Sequence, residues 1–136
     1  MVGARRKARA LALQTLYEVD SAGHKVEEVV NNLLSDGELS EENGAFVRDL
    51  VNGVIQNKEN IDLNIKYFAP AWPVEQISLV DRNILRLAIF EILLDNKVSI
   101  KVAVNEAVEL AKTFGGGSSS RFVNGVLGSV SGLVNR

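Results

Sequence analysis

The sequence predicts an all-α protein of about seven helices in two small packed bundles, and three observations carry that prediction. Apolar residues recur with the 3.6-residue period of a helix from Ala8 to Val134, and no segment alternates with the two-residue period of a strand. Glycine, serine, aspartate and proline gather at the breaks between apolar stripes. Hydrophobic residues make up 46% of the 136-residue chain, enough for a packed core.

Ala8, Leu11, Ala12, Thr15, Leu16 and Val19 form the stripe of a first helix. Val26, Val29, Val30, Leu33 and Leu34 form a shorter second one, closed near Asp36-Gly37. Ser40 is placed to cap a third, with Glu41 and Glu42 in its first turn and Phe46, Val47, Leu50, Val51 and Val54 on its apolar face. Ile61, Ile65 and Phe68 mark a fourth, which ends before Pro70 and Pro73 because proline cannot continue a helix. That proline segment divides the expected single domain into an N-terminal bundle over residues 1–69 and a C-terminal bundle over 74–136. Ser78 to Leu94 is apolar almost all round, the signature of a helix covered on most sides. Ile100, Ala103, Val104, Ala107, Leu110, Ala111 and Phe114 predict a sixth helix. Phe122, Val123, Val126, Leu127, Val130, Leu133 and Val134 predict the last. Between these two, Gly115-Gly-Gly117 reads as a helix end and hinge, with Ser118, Ser119 or Ser120 capping the next helix. Gly125 and Gly128, one turn apart, are expected to admit a neighbouring helix closely.

Composition removes several classes of function. The chain has no cysteine, which excludes disulfides, thiolate metal sites and cysteine nucleophiles. It has no run of about 18 apolar residues, and its basic start lacks the apolar core and cleavage site of a signal peptide, so a cytoplasmic protein with no membrane association is expected. The only histidine, His24, sits between Gly23 and Lys25 in an expected loop. Neither a nucleophile elbow, a phosphate-cradling GxxxxGK[ST] nor an HExxH occurs. Glu27-Glu28 and Glu41-Glu42 read as solvated helix starts. No enzyme activity, no cofactor and no metal are expected.

Charge is unevenly placed. The net charge is −2, yet Arg5, Arg6, Lys7 and Arg9 hold four of the fifteen basic residues. The remaining eleven face seventeen acids, a body of −6. Such a body repels nucleic acid at long range, so any such contact must be local to the basic end. Arg5, Arg6 and Arg9 fall along one flank of helix one, continued by Leu13 and Tyr17, and cations in a first turn oppose the helix dipole. Phosphate contact is one reading, since the guanidinium fork matches phosphate oxygens; a solvated terminus is the other. Lys112 and Arg121 flank the glycine joint, and with Phe122 they could hold a phosphate and a stacked base. Equally, the spacing of Phe122 suits a core position. Asp81, Arg82, Arg86 and Glu91 interrupt the apolar fifth helix and must be paired internally or serve a docking surface. Asn105, Glu106 and Glu109 lie near the expected start of helix six, where acids favour the dipole.

Four blocks, RRKARALALQTLY from Arg5, FVRDLVNGV from Phe46, DRNILRLAIFE from Asp81 and NEAVELAKTFG…SSRFVNGVL from Asn105, closely resemble the NusB family of bacterial transcription antitermination factors, in family order across nearly the whole chain. The resemblance implies an all-helical fold of two small bundles. It implies pairing with NusE, a small-subunit ribosomal protein, and binding by the pair to boxA-type single-stranded RNA in nascent ribosomal RNA transcripts, within an RNA polymerase antitermination complex. It carries RNA contact to Arg5, Arg6, Lys7, Arg9, Lys112, Arg121 and Phe122, and NusE contact to Tyr17, Asp81, Glu106 and Leu110. The chain departs from the family at the glycine joint, where an acid commonly occupies the position of Gly117 or Ser118, and it stops soon after Val134 without a charged tail. A homodimer over Leu13 and Tyr17 would hide the RNA edge.

Two other readings compete. A similar helical domain precedes the catalytic domain of certain ribosomal RNA cytosine methyltransferases, but 136 residues leave no room for that domain and the nucleophilic cysteine is missing. A purely protein-binding helical module is the second.

Overall fold

A computed structural model describes residues 3–95 and 97–134. Seven α-helices run through them: α1 (Ala4–Ala22), α2 (Val26–Leu34), α3 (Glu41–Gln56), α4 (Lys58–Phe68), α5 (Leu79–Ile89), α6 (Ile100–Phe114) and α7 (Ser119–Ser131). No strand occurs among the described residues. Serine hydroxyls start three of the helices by accepting a free first-turn N–H: Ser40 from Asn43, Ser78 from Asp81 and Ser99 from Val102. Gly23 closes α1 with φ of +70°, its N–H donating to the Val19 carbonyl, a conformation that favours glycine. The prolines stop α4 at Phe68, and a short 3₁₀ turn, Val74–Gln76, leads into α5.

Every residue from Asn83 to Ile92 is buried, so α5 is the central helix its all-round apolar sequence predicts. It packs against α1, α3, α4, α6 and α7. Residues from before and after the proline segment join one core cluster; Leu50, Ile61, Ile84, Leu85, Ile92 and Leu127 are among its fully buried members. Past Ile89 the helix widens into a π-helical turn, Phe90–Asp95, which the periodicity does not reveal.

Arg82, Asn83 and Arg86 of α5 are paired internally. The Arg82 guanidinium grips the Asp20 carboxylate at 2.8 and 2.9 Å, Asn83 Nδ2 donates to it at 3.0 Å, and Arg86 divides its donors between Asp20 at 3.0 Å and Asp62 at 2.8 and 3.0 Å. The Arg82 bond holds the Asp20 carboxyl well below the ordinary carboxylate range, against an upward push from burial. Asp20 thereby ties the end of α1 to α5, and Asp62 ties α4 to the same helix.

Several expectations are corrected. A Cβ on Gly125 or Gly128 would meet nothing within 4 Å, so neither admits a close neighbour. The glycine that does so is Gly53, where a Cβ would fall inside the Phe90 ring. Helix α7 ends at Ser131; beyond it Leu133 is exposed, whereas Val134 packs against the core. Ser118 occupies the cap position of α7 but makes no capping bond; the Ser119 hydroxyl accepts instead from the Gly116 N–H at 2.9 Å. Gly115 is extended, with φ of −89°, and packs so tightly on Ser119 that a Cβ would collide with that side chain. The start of α6 at Ile100 leaves Glu106 and Glu109 beyond its first turn, which removes their dipole role. Leu13, expected on the surface, is 3% exposed.

Candidate nucleic-acid interface

The first two turns of α1 present four cations in four different environments. Arg5 is exposed, its guanidinium lies 4.0 Å from the centre of the Phe46 ring, and it reaches Glu42 at 3.6 Å. Arg6 is exposed and makes a bidentate pair with Glu106 on α6, at 2.7 and 3.2 Å. That bond raises the pKa of Arg6 and lowers that of Glu106. Lys7 pairs with Glu38 in the α2–α3 loop, which raises the lysine pKa. Arg9 is different. It is 5% exposed and bidentate to the buried Glu91 of the π turn, at 2.8 and 3.0 Å. A guanidinium so enclosed is committed to a buried ion pair and presents no open fork for a phosphate.

Carboxylates on other elements therefore neutralise much of the arginine edge. Glu109 lies 3.9 Å from Arg6 and 3.3 Å from Lys112, so one acid joins the start of α1 to the last turn of α6 and brings Lys112 alongside the edge. Arg121, in the first turn of α7, is exposed and makes no ion pair with the described residues. Phe122 is half-buried and packs against the core, and it also lines a cleft of about 190 Å³ with Trp72, Ser78, Asp81 and Ser118. The ring thus sits at the edge of the core with part of it facing the cleft.

The residues expected to meet a protein partner divide in the same way. Tyr17 is 40% exposed and lines an apolar cleft of about 320 Å³ with Leu13, Leu33, Val80 and Phe114. Glu106 is half-buried beneath Arg6, and Leu110 is 6% exposed, a core residue. The apolar side chain that α6 exposes near there is Phe114, one turn later. Asp81 lies away from the apolar cleft, in the Phe122 cleft.

The sequence does not foretell the acids that pair with the arginine edge, since Glu91 and Glu106 lie 82 and 100 residues from their partners. Trp72 beside Phe122 is missed for the same reason. A trace of it is legible: a tryptophan between two prolines is a costly residue to leave exposed unless it meets something.

A buried α5 enclosed by α1, α3, α4, α6 and α7, with a cationic edge on α1, defines a small all-helical protein. The transcription antitermination protein NusB of Dehalococcoides mccartyi is 59% identical over 131 residues, covering 96% of this chain and 92% of that protein. NusB of Chloroflexus aggregans is 48% identical over 128 residues, covering 93% and 85%. Residues 6–132 match the NusB family, and the chain belongs to it. Among solved structures, T. maritima NusB shares the fold with a TM-score of 0.89 at 30% identity, over 97% of this chain and 93% of that one. A structure of antitermination factors NusB and NusE in complex with double-stranded RNA contains the same fold, with a TM-score of 0.88 at 24% identity, over 98% and 100% of the two chains. No helix among the described residues is long and apolar enough to cross a membrane.

Proposed function

We propose that this chain is a non-enzymatic, cytoplasmic antitermination factor that pairs with NusE. The pair binds boxA-type single-stranded RNA in nascent ribosomal RNA transcripts and alters elongation by RNA polymerase. The observation that carries this reading is the cationic edge of Arg5, Arg6 and Lys7, extended by Lys112, on a chain whose body is acidic. A solved complex of antitermination factors NusB and NusE with double-stranded RNA, which contains the same fold, supports the pairing with NusE and the contact with RNA.

The ion pairs set the character of the binding. RNA phosphates must displace Glu42, Glu106 and Glu38 from Arg5, Arg6 and Lys7, so part of the phosphate attraction is spent on breaking existing pairs. Binding by the chain alone is therefore weak, and sequence preference comes with the partner. The apolar cleft around Tyr17 and Phe114 suits a protein partner better than a phosphate backbone, because it offers aromatic anchors and no cation. Glu106 acts from beneath Arg6, and Arg9 holds α1 in position through Glu91.

The test is RNA affinity at fixed salt with and without NusE, for a boxA-type strand and a scrambled one. Weak, unselective binding alone and preferential binding by the pair are expected. No preference even with the partner would favour the purely protein-binding module.

A further inference from the structure

Helix α4 carries a face that the fold does not cover. Ile61 and Ile65 are fully buried and seat the helix against α3, α5 and α7. Its other side shows Leu63 and Tyr67, 66% and 70% exposed and one turn apart. Among the described large apolar side chains only Leu133, beyond the last helix, is as open. The outward face of a helix is ordinarily polar, so an apolar pair at its centre marks a contact surface. Charged side chains frame the pair: Lys58 and Glu59 before it, Lys66 within it. None of the three forms an ion pair or a side-chain hydrogen bond with any described residue, whereas each of the four cations of α1 finds an acid. Beside this face a groove of about 820 Å³ separates α4 from Pro70, Trp72 and Pro73, and Trp72 is itself half exposed.

We propose that this face binds the same face of a second copy of the chain, the two α4 helices running antiparallel about a two-fold axis. The charges choose the occupant. Both signs are present, with an acid near the start of the exposed stripe and a lysine near its end, which is the arrangement that an antiparallel copy of the same helix completes. An axis passing between Asp62 and Leu63 puts Glu59 of each copy opposite Lys66 of the other, and Lys58 opposite the Tyr67 ring. Symmetry makes each pairing twice, and Leu63 of each copy lies beside the axis. A partner of one sign, such as a phosphate backbone, would leave part of these charges facing like charge. Helix α4 has 11 residues, a length of about 16 Å, so the paired surfaces fall at the small end of protein interfaces and the association is reversible. No α4 residue lines the Tyr17 cleft or the cleft beside Arg5 and Arg9. The pair therefore leaves both cationic edges open, unlike a dimer over Leu13 and Tyr17.

Sedimentation velocity of the full chain, from micromolar to millimolar concentration, should show a monomer–dimer equilibrium. Leu63→Asp should abolish the dimer. Glu59→Lys alone and Lys66→Glu alone should each weaken association roughly tenfold, because each turns both salt bridges into like-charge contacts. The first variant then offers two lysines at the contact and the second two glutamates. An equimolar mixture of the two should therefore regain the association as a heterodimer, identified by its mass in native mass spectrometry. That recovery separates a direct contact from a loss of fold. A chain that stays monomeric over the whole range overturns the proposal, as does a dimer indifferent to Leu63→Asp or a mixture that associates no better than its components.

Discussion

Arg5, Arg6, Lys7 and Arg9 are near neighbours in sequence and differ sharply in what they can do. Arg9 is enclosed with Glu91, whereas the other three stay at the surface. Removing one member of a buried pair strands the other, so Arg9→Ala should cost about 3–5 kcal/mol of stability by urea unfolding. Replacing Arg9 and Glu91 together with apolar residues should recover most of that loss. Lys7 is held by Glu38 instead, and Glu38→Gln should raise RNA affinity in an anisotropy titration by removing a competitor for the lysine. Asp20 gives a pH signature. Its carboxyl is depressed in the fold, first by the Arg82 bond, so its contribution is fully present above the unfolded carboxylate pKa of about 3.9 and is lost as pH falls. Stability should therefore drop in acid, and Asp20→Asn should be less stable at neutral pH with a shallower acid slope. The sequence shows the cations and their common flank, because those are local. It is silent on which acids hold them, because pairing across 31 to 100 residues is a property of the packed helices.

At the scale of elements, apolar patterning locates each of the seven helices and identifies α5 as central, since a helix apolar on all sides has nowhere else to sit. It misses the π turn, where one extra residue per turn lets Glu91 face Arg9 and Phe90 face Gly53. It also misassigns the glycines, because glycine spacing within one helix says nothing of what lies opposite. The structure separates them by an experiment in opposite signs. Gly53→Ala drives a methyl group into the Phe90 ring and should destabilise by about 1–3 kcal/mol. Gly125→Ala, with open space around it in mid-helix, should stabilise by about 0.5–1 kcal/mol. Chemical unfolding of the two variants reads both outcomes.

For the whole molecule, the surface separates by chemistry. A cationic edge runs from Arg5 to Lys112, an apolar cleft gathers around Tyr17 and Phe114, and an aromatic cleft with a lone carboxylate lies at Phe122. The family resemblance carries RNA and partner contact to residues in all three, but only the folded chain divides those residues among distinct surfaces. Phe122 is legible as an aromatic at a helix start, whereas its sharing a cleft with Trp72 is a product of the fold. The central claim is that the exposed part of the arginine edge contacts RNA phosphates. Its most direct test is the salt dependence of boxA-type RNA binding by the NusE pair, for the parent chain and for a triple Arg5→Ala, Arg6→Ala, Lys7→Ala variant shown by urea unfolding to be folded. Loss of three phosphate contacts should weaken binding and flatten the log–log salt slope by about 2, at roughly 0.7 per contact for a single strand. An unchanged affinity and slope in a folded variant would contradict the account and move the RNA site off α1.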